Sequence, residues 1–63
     1  MNVEYGDVVV IKVGDREHRS KISKVDGKVV KLLDENGSYR QMAAKDLEEM
    51  INNGFAYVEK SRS

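Results

Sequence analysis

Val8, Val9, Val10, Ile11 and Val13 form an almost unbroken apolar run, interrupted only by Lys12. β-Branched side chains lose χ1 freedom in a helix and pack well on a pleated surface, so composition and length predict a strand. Val8 and Val10 fall on one face and Val9, Ile11 and Val13 on the other, which calls for cover on both sides, by barrel closure or by a helix laid across the sheet. Gly6-Asp7 signals a turn before this run and Gly14-Asp15 a turn after it. Arg16 to Val25 continues as a mixed polar strand anchored by Ile22 and Val25; these stand three apart, so a bulge between them is needed for both to point inward. Asp26-Gly27 predicts a two-residue hairpin turn with positive φ at both positions. Val29 to Leu33 is the return strand, Asp34-Glu35-Asn36-Gly37 a second turn, and Ser38 to Met42 a short strand carrying Tyr39.

Beyond Met42 the apolar period changes from two to the helical one. Ala44, Leu47 and Ile51, with Ala43 and Met50 beside them, make a helical stripe. Asp46, Glu48 and Glu49 suit the positive end of the helix dipole, Asp46 and Glu49 have the spacing of a capping box that would start the helix later, and Asn53-Gly54 supplies a left-handed stop. Phe55, Tyr57 and Val58 read as a closing strand. The expected fold is mainly β: a five-stranded barrel with a short helix before the last strand, plugging one end with Leu47, Met50 and Ile51. Residues 1–63 form one domain, with a core over about residues 6 to 59 and a frayed polar tail from Lys60 to Ser63.

Composition narrows the chemistry. With no cysteine and one histidine among 63 residues, there is neither a disulfide nor the usual zinc ligand set, and no cofactor or metal is expected. No apolar run has the roughly 20 residues of a membrane span, and the chain reads as cytoplasmic. His18 and Ser20 share a strand face but diverge along the pleat with no third group to orient the ring, so His18 is read as a surface or rim residue. The adjacent carboxylates Asp34-Glu35 and Glu48-Glu49 point different ways and make no acid/base pair. The glycines stand singly at turns, not in a phosphate loop. The chain is therefore expected not to be an enzyme.

The formal net charge is zero, but its distribution is uneven. Lys12, Arg16, Arg19, Lys21, Lys24, Lys28 and Lys31 outweigh Asp15, Glu17 and Asp26 by four, while residues 32–60 carry an excess of three negative charges. The basic hairpin is thus either a solvated edge that discourages aggregation or a contact surface. Arg19 and Lys21 share one strand face, and Lys28 and Lys31 are placed on the partner strand. With Tyr39 and Arg40, residue types frequent at hot spots, they form the candidate contact set for a partner protein. Nucleic acid is the alternative partner for the hairpin of residues 16–31; about five cations on duplex phosphates would give log K a slope near −4.5 against log salt. No aromatic ladder accompanies the lysines for single strands. A monomer, or a weak homo-oligomer through a sheet edge, is expected, with no membrane or small-molecule partner.

Gly6-Asp7-Val8, the hairpin Lys24-Val25-Asp26-Gly27-Lys28-Val29, the strand and turn from Val30 to Gly37, and the helix from Asp46 to Ile51 ending in Asn53-Gly54 together resemble the small SH3-like barrels found as stand-alone phage and mobile-element proteins and as accessory modules of larger proteins. The resemblance covers about residues 6 to 59 and implies a regulatory or inhibitory module that binds through a barrel face. The chain also looks somewhat like archaeal chromatin proteins of similar length, which, unlike this one, are strongly basic.

Overall fold

A computed structural model describes residues 2–61. Five strands and one helix follow in the order β1 (Val8–Val13), β2 (Arg16–Asp26), β3 (Val29–Asp34), β4 (Tyr39–Ala43), α1 (Ala44–Asn52) and β5 (Ala56–Glu59). All strand pairings are antiparallel, in the spatial order β4-β3-β2-β1-β5.

The sheet is open. β4 and β5 lie at its two edges and do not pair with one another, so the closed barrel expected from the sequence is not formed. The reason lies in the connection: Ala43 leads straight into α1, and the helix packs against β5, so its nine residues stand where strand pairing would have closed the sheet.

The register divides the sheet into an inner face under α1 and an outer face away from it. Val9, Ile22, Val30, Leu32 and Leu47 form the buried core, with Val3, Ile11, Met42, Ala44, Ile51 and Val58 packed around it. Leu47 and Ile51 enter the core as expected, but Ala44 takes the third place and Met50 is only half-buried. No side chain caps the helix N-terminus; the Ala44 N–H donates to the Lys28 carbonyl at 2.8 Å, so the helix starts at Ala44 and the capping box at Asp46 is not used. At the other end Gly54 has φ +82°, its N–H donates to the Ile51 carbonyl, and the Phe55 N–H donates to the Met50 carbonyl, a Schellman ending.

Two turn details follow from glycine. Asp26 pairs with Val29, so the hairpin loop is Gly27-Lys28 and not Asp26-Gly27; φ is +59° at Gly27 and negative at Lys28. Positive φ at the first loop residue alone is the type II′ pattern, which needs glycine there and accepts an ordinary residue second. The bulge lies between Ile22 and Lys24, as the spacing requires, and restores parity so that Val25 pairs with Val30 on the inner face. Val25 nonetheless stays 42% exposed.

β1 is covered on both sides, by different means. Val9 is buried in the core, and Val10, on the outer face, is equally buried between its register neighbours Arg19 and Tyr57. Across that strand, Tyr57 Oη donates to Glu17 Oε2 at 3.0 Å and Arg19 Nε donates to Glu59 Oε1 at 3.4 Å, joining β2 to β5 over β1.

Asp7 fastens the ends. Its carboxylate is 1% exposed and accepts from the Glu4 N–H at 2.9 Å, Lys60 Nζ at 2.6 Å and the Ser61 N–H at 2.8 Å. Lys60 and Ser61, expected to fray, are therefore held; the rest of the expected tail, Arg62 and Ser63, lies outside the described residues.

Candidate functional site

The six predicted contact residues are all exposed but do not form one patch. Antiparallel partners share a face, so the pairings Val10 with Arg19, Lys21 with Leu33, Lys24 with Lys31, and Leu33 with Tyr39 place Arg19, Lys21, Lys24, Lys31 and Tyr39 on the outer face. Lys28 sits in the β2–β3 turn, not on the partner strand. Arg40 pairs with Leu32 and so belongs to the inner face, opposite Tyr39.

Charge pairing separates them further. Arg19 is bound to Glu59 and lies 3.5 Å from Glu17, and its guanidinium pKa is raised, chiefly by the Glu59 hydrogen bond. The Tyr57 hydroxyl is raised in turn by donating to Glu17, and Lys12 Nζ stands 5.6 Å from the Tyr57 ring centre. Arg19 thus belongs to a neutralised cluster over Val10. Arg40 Nε donates to Asp34 Oδ2 at 3.1 Å. Asp34 Oδ1 accepts from the N–H groups of Asn36 and Ser38, both at 2.9 Å, and these bonds, Ser38 first, together with Arg40 hold its carboxyl below the usual range. Asp34 is therefore a turn-former whose second oxygen orients Arg40. Among the described residues no ion pair engages Lys21, Lys28 or Lys31, and Lys24 is 3.9 Å from Asp26. The outer surface that remains is a lysine cluster, Lys21, Lys24 and Lys31, bordered by half-buried Leu33 and by Tyr39 at 74% exposure.

A second feature was not foreseen. α1 covers only part of the inner face, and beyond it lies a groove of about 730 Å³ with Ile11, Val13, Leu32 and Met42 as its apolar lining and Asp34 and Arg40 at its side. Its signal in the sequence was Val13, an apolar residue at a hairpin tip, which is 56% exposed. His18 lines the same groove and is exposed, in keeping with a rim position; Ser20 is buried on the same face, paired across from Val9.

Among the described residues no group of three His, Cys, Asp or Glu is placed to hold a metal, and no helix is long and apolar enough to cross a membrane. No protein family, curated protein or solved structure matches the chain.

Proposed function

We propose that this protein is a small non-enzymatic binding module of SH3-like type, a regulatory or inhibitory protein of the phage and mobile-element kind, that engages an acidic partner protein through the outer face of its sheet. The observation that supports this reading is the asymmetry of charge pairing. On the β1–β5 side the outer-face cations Lys12 and Arg19 are matched to an aromatic ring and to carboxylates, whereas among the described residues no ion pair engages Lys21 or Lys31, which lie next to Leu33 and Tyr39 on the β2–β3 side. Cations beside an apolar residue and an exposed tyrosine favour a protein surface, since tyrosine contributes contact area at little entropic cost.

Affinity capture from the native host, comparing the wild type with Lys21→Glu/Lys31→Glu and with Arg19→Gln, tests this. A specific protein lost with the double variant and kept with Arg19→Gln is the expected result; capture indifferent to the double change overturns it. Duplex DNA provides the contrasting outcome. With Arg19 already on a carboxylate, the outer face of the hairpin offers Lys21, Lys24 and Lys31, so binding of these three cations to phosphates would show a slope of about −2.7 against log salt. A measured slope of that size, with no captured protein, transfers the face to nucleic acid.

A further inference from the structure

Backbone bonding at β4 leads further. The Asp34 N–H donates to the Ser38 carbonyl and the Ala44 N–H to the Lys28 carbonyl, one bond just before β4 and one just after it. In an antiparallel pair, bonded and non-bonded positions alternate. Residues 38, 40, 42 and 44 therefore turn their backbone groups toward β3, and Tyr39, Gln41 and Ala43 turn theirs away from the sheet. These outward groups form an edge with no lysine, proline or bulge within it. The residues between them, Arg40 and Met42, direct their side chains to the inner face, where both line the groove.

From this we infer that the β4 edge is a β-augmentation site: an extended, acidic segment of a partner protein adds to it as a sixth strand, with alternate apolar side chains lying in the groove beside Met42, Ile11 and Val13. The inference rests on the protein-binding reading and narrows it to a strand and a polarity. Charge selects the occupant. Arg40 is already matched by Asp34, but Lys31 stands behind Gln41 in register and Lys45 follows in the first turn of α1, and among the described residues no ion pair engages either, so the charge offered at this edge is basic. A second copy of the chain would bring the same two lysines against themselves, whereas aspartate or glutamate alternating with apolar residues would meet them favourably.

Selection of random ten-residue peptides displayed against the immobilised protein provides the probe, followed by synthesis of an enriched peptide. The expected peptide alternates apolar with acidic residues and slows amide exchange at Tyr39, Gln41 and Ala43. Gln41→Pro removes an outward donor without touching the β3 ladder, a position where a sheet edge tolerates proline, and should weaken binding by about tenfold or more. Should that variant misfold, N-methylation of Gln41 in a chemically synthesised chain makes the same change with the side chain kept. Three results overturn the inference. Peptides that bind wild type and Gln41→Pro equally, leave those amides unprotected and are lost with Lys21→Glu/Lys31→Glu refute the edge while leaving the outer-face reading intact. Self-association abolished by Gln41→Pro makes a second copy the occupant. Failure to enrich any peptide removes the edge as a strand acceptor, and the lysate capture then decides the broader reading alone.

Discussion

Along β5 the rim of the sheet is backed by protein: Val58 packs on the core with Val3 and Ile51, and Lys60 and Ser61, just past the strand, are bonded to Asp7. Along β4 the equivalent rim, at Tyr39, Gln41 and Ala43, faces away from the sheet with every one of these residues exposed. Both are short edge strands of one sheet, β4 ending the meander and β5 returning after α1 to pair with β1. The difference comes from contacts distant in sequence. β5 is backed by Val3 and Ile51 around Val58 and is followed at once by the Lys60–Ser61 clasp on Asp7, while β4 has only its five-residue length and the inward-turned Arg40 to limit pairing.

That contrast can be broken at its largest support first. Leu47 is the fully buried helix residue between the two edges, so Leu47→Ala should lose about 2–5 kcal/mol in urea unfolding and expose both rims. Next is the fastening at β5. Lys60, and after it the Ser61 N–H, hold the Asp7 carboxyl down to about 2 from an ordinary 3.8. A carboxyl depressed in the folded state contributes stability in full above its unfolded value, and that contribution disappears as pH falls from about 4 toward 2. Asp7→Asn should lower the melting temperature at neutral pH and flatten that acid segment of the curve, leaving the smaller slope due to Asp34; identical acid profiles for the two proteins would remove the fastening from the explanation. Third, Gly54→Ala forces a side chain to φ +82° at the helix stop and should cost about 1–2 kcal/mol by the same unfolding assay, through backbone strain alone, since no heavy atom lies within 4 Å of the added methyl. The smallest effect belongs to the outer face near β5: Arg19→Gln breaks exposed pairs with Glu17 and Glu59 and should cost under about 1 kcal/mol, less at high salt.

The strands, the three glycine-bearing turns between β1 and β4, the bulge after Ile22 and the helix stop at Gly54 were readable from the sequence because each is written within a few adjacent residues. Boundaries moved by one residue where a turn residue also pairs, as Asp26 and Asp34 do. What escaped reading depends on residues far apart. Asp7 looked like punctuation after Gly6, yet its partners Lys60 and Ser61 lie 53 and 54 positions away. Arg19 looked like a free cation because Glu59, 40 residues on, had no visible relation to it. Tyr39 and Arg40 were grouped by adjacency although strand alternation places them on opposite faces, and that separation was available from the sequence alone. Closure failed as an expectation because local patterning specifies which residues face inward but not whether the last edge meets the first.

The clasp at Asp7 has a practical corollary. It gathers Glu4, Lys60 and Ser61 at one corner, on the β1–β5 flank and across the whole width of the sheet from Tyr39, Gln41 and Ala43. A dye or resin linker attached through Tyr5→Cys, exposed in the turn between Glu4 and Asp7 at that corner, would anchor or label the protein without shading the strand where docking is proposed.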